Sequence, residues 1–511
     1  MIKNIKWLAL VAIALTACND NDDAVTVNNS SDGLPLTAGT ANFSKYVAVG
    51  NSLTSGYTDG ALFKEGQNNA WTKILADQFR LVGGGEFKIP FMPDNKGGAL
   101  VGTIQVVENR LYFNGAGPVR VPGGATAQLL PGLTGQFNNM GVPGAKSFHL
   151  LAPGYGNPAG ILTGTANPYF CRFASSTTAS VIGDAMAQSP TFFTLWIGNN
   201  DVLGYATSGG DDTNPITPSA GVAGVGFDAT YNALVTTLTS AGAKGAVANI
   251  PNVASLPFFT TIVKPLTTVV LGGGASNPNA VAQGTATINA LNAQLYGPLK
   301  QALTAFGQGN RIELLSTTAA NPVLMKDDML TNLSAQLTAA LTPALGAATA
   351  AAFGSIYGQA RQSNSGDLVL LTAPIGQDAP GAPASINKFG ISFPLQDRHI
   401  LIPSEIDNIA TATAAFNATI LAAATSKNLA FVNANSVLNR VATTGINVNG
   451  FNFTGQLVFG HAFSLDGVHP TSRGYALIAN EFTKSINAKY GSNLPLVNVG
   501  NYNNLFPLNL P

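Results

Sequence analysis

The sequence predicts an α/β fold built on a parallel sheet, and two observations carry that expectation. Five short stretches, most of them apolar, read as strands, at Lys45–Val49, Phe137–Met140, Thr191–Ile197, Gly245–Ile250 and Leu429–Asn433. Amphipathic stretches that read as helices, at 69–80, 229–241, 404–426 and 472–488, precede or follow most of them. Strands that are apolar throughout and alternate with helices predict a sheet covered on both faces. In such sheets ligands collect at the carboxyl ends of the strands, so the residues just beyond each run are the first candidates for function.

The chain begins with two lysines, Lys3 and Lys6, and the apolar run "WLALVAIAL", which is too short to cross a bilayer. Residues 1–17 are therefore expected to be a cleaved signal peptide. Leu15-Thr16-Ala17-Cys18 resembles the lipobox of bacterial lipoproteins, which implies that Cys18 is lipidated and anchors the protein to a membrane of the cell envelope, expected to be the outer membrane. Cys171 then stands alone, which leaves no disulfide framework and no cysteine metal site. Residues 18–40 are polar, acidic at the front and without period, and read as a tether. The acidic run after Cys18 also resembles a tag that sends such lipoproteins to the cell surface.

The domain proper is expected at 41–490, interrupted by a Gly- and Pro-rich insertion at about 83–135 and a longer one at about 253–400, and followed by an irregular tail at 491–511. Lys plus Arg and Asp plus Glu number 25 each, so there is no basic footprint for nucleic acid. Charged residues make up only 10% of the chain, which favours neutral or apolar partners. No run after the leader reaches the length of a membrane span.

The first strand ends in Gly50-Asn51-Ser52-Leu53. A serine between a strand and a helix is often only a cap, but here its hydroxyl lies where a helix dipole and backbone N–H groups favour a developing oxyanion. A nucleophilic serine needs a base. In "SLDGVHPTSRGY", Asp466 precedes His469 by three residues, a spacing that lets the carboxylate hold one imidazole nitrogen and leaves the other free to take the serine proton. Two further strand ends supply candidate oxyanion donors. Gly144 sits in a turn of "NNMGVPGAKS", and Asn200 follows the third strand within Gly198-Asn199-Asn200-Asp201. Nucleophile, base, orienting carboxylate and oxyanion donors together form the set that acyl transfer requires.

These four blocks, in this order, resemble the SGNH or GDSL-type hydrolases. The resemblance implies a three-layer α/β/α sandwich with a central parallel sheet, Ser52 as nucleophile, His469 as base, Asp466 as its orienter, and an oxyanion hole from the Ser52 and Gly144 amides and the Asn200 side chain, with no metal or other cofactor. Asn51 departs from the family's usual aspartate beside the nucleophile. The implied activity is hydrolysis of carboxylic esters, as a lipase or esterase, through an acyl-enzyme. A carbohydrate O-acetyl esterase is the alternative, and a non-catalytic lipoprotein binding glycan or lipid is the reading from another class. Acyl length, alcohol and oligomeric state are not legible.

Competing motifs are missing: there is no H-E-x-x-H, G-x-S-x-G or Walker-type run. His149, His399 and His461 have no ligand-like spacing and are expected to be structural or exposed, with His461 near the rim of the site. Within the second insertion, Leu330, Leu333, Leu337, Leu341 and Leu345 form a stripe along a helix pair bent at Pro343. That stripe predicts either a helix packed on the core or a movable cover over the site.

Overall fold

The computed structural model describes residues 29–211 and 213–510; the leader, Cys18 and the first part of the tether lie outside them. The five stretches form one parallel sheet from β1 (Tyr46–Gly50), β2 (Asn139–Gly141), β3 (Phe192–Trp196), β4 (Lys244–Ala248) and β5 (Ala430–Val432). The spatial order is β5-β4-β3-β1-β2. Every residue of β1 and β3 is buried, which is why their sequences are apolar without alternation. The chain is thus a mixed α/β protein with a central parallel sheet.

Seven helices frame the sheet and its carboxyl edge: α1 (Ser52–Ser55), α2 (Trp71–Arg80), α3 (Asn199–Thr207), α4 (Phe227–Thr239), α5 (Pro403–Ser426), α6 (Ala434–Thr443) and α7 (Ser472–Tyr490). Helices α2 and α7 pack through stacked Trp71 and Phe482, 4.1 Å between centroids, with Trp196 of β3 edge-on to Trp71. Helices α4 and α5 pack through stacked Phe227 and Phe416 at 4.0 Å. By length and composition α5 is apolar enough to cross a membrane, but Ile409, Phe416 and Ile420 are fully buried in the main core.

The second half of the expected tether is not free. Thr37 N donates to Asn493 Oδ1 (2.8 Å), Ser31 N to Asn493 O (3.0 Å) and Thr40 N to Tyr490 O (2.8 Å), so residues 31–40 are laced to the end of α7. The tail is irregular and buries Leu494, Val499 and Phe506.

The stretch 83–135 carries strands of two to four residues, too short for a period to show. Its Arg110, 1% exposed, donates to the carbonyls of Asn95, Pro507 and Leu508 and so clamps the tail. The stretch 253–400 has apolar clusters of its own, one including Ile288, Tyr296, Leu299, Leu337 and Tyr357. Leu333 and Leu337 of the leucine stripe are buried there, while Leu345 is exposed, and none of the stripe lines the pocket beside Ser52. Two of its five leucines are thus core of that region, and the cover is excluded as a wall of that pocket. Pro343 lies within the helix Ser334–Leu345, and the break comes at Gly346, whose φ of +76° a helix cannot continue.

Candidate active site

Strand β1 delivers Ser52 to the carboxyl edge of the sheet. A Cβ on Gly50 would stand 2.2 Å from Thr54 Oγ1 and 2.4 Å from Trp196 O, so only glycine lets the chain fold back into α1 here. Asn51 caps that turn, its Oδ1 accepting from Leu53 N at 3.1 Å. Asparagine and aspartate share this acceptor oxygen, so the cap tolerates the departure from the family pattern. The Asn51 Nδ2 is buried without a partner among the described residues. Helix α1 is a single turn ended by Gly56 at φ +86°, so a macrodipole contributes little and the local N–H groups matter instead.

The structure brings Ser52, His469 and Asp466 together. His469 Nε2 lies 2.9 Å from Ser52 Oγ, and Nδ1 lies 2.8 Å from Asp466 Oδ2. Asp466 Oδ2 also accepts Gly60 N at 2.8 Å; Oδ1 accepts Val468 N and His469 N, both at 2.8 Å, and Ser464 Oγ at 3.1 Å. An ionised carboxylate oxygen only accepts, so Nδ1 carries the proton and Nε2 is left as acceptor for the serine hydroxyl. Burial alone would raise the Asp466 carboxyl, but the charge and Nδ1–H of His469 and the His469 and Val468 amides outweigh it and hold the group at about 2. Tyr57 packs its ring 4.6 Å from the imidazole centroid and fixes the third side of the base.

Of the candidate oxyanion donors, Asn200 lines one pocket with Ser52 and is tied to the turn that holds Gly144. Among the described residues, neither Ser52 N nor Gly144 N has an acceptor. Gly144 is exposed and has φ +80°, so its glycine is required by conformation. Asn200 Nδ2 donates to Ala145 O at 2.9 Å, which uses one amide hydrogen and ties α3 to the Gly144 turn. Asp201 fastens the same turn, its two oxygens accepting Ser147 N at 2.8 Å and Ser147 Oγ at 2.6 Å. Asn200 is thus both the tie to this turn and the candidate oxyanion donor, and Asn200→Ala is expected to lower kcat by about a hundredfold or more and to move KM as well; a kcat within threefold of wild type would remove it from the oxyanion site.

Sequence reasoning missed the loop that supports Asp466. Asp59, at φ +51° and fully buried, accepts Leu465 N at its Oδ1 (3.0 Å) and donates its own N–H to Ser464 Oγ (2.9 Å). Leu111 N donates to Asp59 O at 2.7 Å and Arg120 Nη1 to Gly60 O at 3.3 Å, so the stretch 83–135 braces the turn that reaches the triad. Burial, opposed by the Leu465 amide and assisted by the nearby Asp466 charge, raises the Asp59 carboxyl to about 7. A raised folded value means that the native state holds a proton the unfolded chain has lost. Asp59 thus favours folding at low pH, and that contribution fades as pH climbs from about 4 through 7. Asp59→Asn, which keeps the acceptor oxygen, is expected to raise Tm relative to wild type at pH 8 and to lose that advantage at pH 5. A Tm difference independent of pH would contradict the assignment.

The other histidines stand apart. His149 stacks on Tyr155 at 4.5 Å and accepts Lys146 N, and burial with the Lys146 charge lowers it to about 4. His399 accepts Gln396 N and is likewise lowered to about 4, by burial and Arg398. His461 meets Arg473 Nη1 at 3.1 Å; its neighbours Ala462 and Phe463 line the pocket, but His461 does not. Among the described residues no group of His, Cys, Asp and Glu could hold a metal, and Cys171 is a buried free thiol.

Beside Ser52, Asn200 and His469 lies an apolar pocket, partly open to solvent. No protein-family model, curated protein or solved structure matches the chain.

Proposed function

We propose that the protein is a serine hydrolase of carboxylic esters, with the three-layer α/β/α fold of the SGNH type and the stretches 83–135 and 253–400 as insertions in it. The observation that carries the reading is the continuous relay from Asp466 Oδ2 through His469 to Ser52 Oγ, with contacts of 2.8 and 2.9 Å. His469 Nε2 takes the hydroxyl proton as Oγ attacks the ester carbonyl. The oxyanion is received by the Ser52 and Gly144 amides and the free hydrogen of Asn200 Nδ2. The imidazolium then protonates the departing alcohol, and water repeats the sequence on the acyl-enzyme. A binding lipoprotein would have no use for a fixed tautomer aimed at a serine.

The same proposal places the enzyme at the bacterial cell envelope, tethered by lipidated Cys18, on the strength of Leu15-Thr16-Ala17-Cys18 alone. The test of the activity is turnover of p-nitrophenyl acetate and butyrate at neutral pH. Steady release of nitrophenol is expected, and its absence with both esters contradicts the proposal.

A further inference from the structure

We infer that the pocket beside Ser52 is an acyl-chain site measured for medium chains of about eight carbons. The inference rests on Ser52 being the nucleophile and names the substrate class of that site. Helix α7 starts three residues after His469 and presents Gly474, Leu477, Ile478, Glu481 and Phe482 to the pocket, the i, i+3, i+4, i+7, i+8 face of one helix. Helix α6 supplies the facing wall with Val437, Leu438 and Val441. From Gly474 to Glu481 the helix rises about 10 Å at about 1.5 Å per residue. A fully extended chain advances about 1.2 Å per bond, so that wall spans about eight bonds.

Both ends of the groove are defined chemically. The near end holds Ser52, His469 and Asn200. The far end holds Glu481, which pairs with Lys484 at 2.6 Å, and a chain long enough to reach that carboxylate has to strip water from it. The occupant is the acyl group rather than the alcohol. An alcohol has to leave and be replaced by water at His469 Nε2, which needs a wet side, whereas the acyl chain stays on Ser52 Oγ through both half-reactions and suits a dry groove. Each methylene buried there is worth up to about fourfold in kcat/KM.

The test is a p-nitrophenyl ester series from acetyl to palmitoyl, with a parallel series of acetate esters of lengthening alcohols. The acyl series is expected to rise at least tenfold from acetyl to octanoyl and to fall beyond about ten carbons, and the alcohol series to stay within threefold. Ile478→Trp and Val437→Trp, both at half-exposed positions, are expected to cut the octanoyl-to-acetyl ratio at least tenfold, and Glu481→Leu to move the optimum to longer chains. A flat acyl series, a rising alcohol series, or ratios unmoved in both tryptophan variants overturns the inference while leaving the esterase intact. Loss of all ester turnover in the wild type is the separate failure of the hydrolase reading.

Discussion

Ser52→Ala is expected to lower kcat by about 10⁶-fold and to leave a folded protein. The side chain is small and its Oγ is spent on the contact with His469 Nε2, so the fold loses a single hydrogen bond when it goes. The cap of α1 belongs to Asn51 Oδ1 and the Thr54 carbonyl to Thr72 Oγ1 and Asn139 Nδ2, none of which the substitution touches. Catalysis loses the atom that forms the covalent intermediate, and positioning and the oxyanion donors cannot replace it. Circular dichroism and Tm close to wild type with ester turnover at background is the expected pair of results. Turnover within a hundredfold of wild type points to a different nucleophile.

Asp466→Asn is expected to lower kcat by about 10⁴-fold. Oδ1 faces two backbone N–H groups and the Ser464 hydroxyl, and Oδ2 faces Gly60 N and His469 Nδ1. An amide NH₂ at the Oδ1 position opposes two fixed donors and at the Oδ2 position only one, Gly60 N, so it settles at the Oδ2 position. There it requires Nδ1 to accept, and the imidazole proton moves to Nε2. The base then points a donor at Ser52. Stability responds too, with a defined sign. Asp466 is held at about 2, below its ordinary value of 3.8, so its ionised form favours the native state above about pH 4, and that contribution is lost as pH falls towards 2. The asparagine variant is expected to be less stable than wild type at neutral pH and to converge on it in acid. Equal kcat values for the two proteins rule out the relay.

Much of this arrangement is legible along the chain, for reasons that differ by element. Strands β1 and β3 are apolar nearly throughout because both faces are buried, and the strands deviate from the expected ranges only at their ends: the stretch Phe137–Met140 is paired at Asn139–Gly141, and Asn138 turns its side chain back to Tyr46 O. Asp466 and His469 are legible because a three-residue spacing is local. The supports of Asp466 are not, since Gly60 and Asp59 reach it across some 400 residues and "TDG" reads as any turn. Helix α6 escaped attention although Asn433 caps it and Val437, Leu438 and Val441 hold helical spacing, because the strand before it drew the boundary at that same asparagine. The hold on residues 31–40 is invisible in their own composition, for the groups that pin them, Asn493 and Tyr490, lie at the other end of the chain.

Ester hydrolysis by this site turns on a covalent bond to Ser52 Oγ, and the most direct measurement is to trap it with an alkyl fluorophosphonate and map the adduct by peptide mass spectrometry. The expected result is one adduct per chain, on the peptide carrying Ser52, formed in step with loss of esterase activity and absent from Ser52→Ala. An adduct on another residue, or full inactivation with Ser52 unmodified, contradicts it.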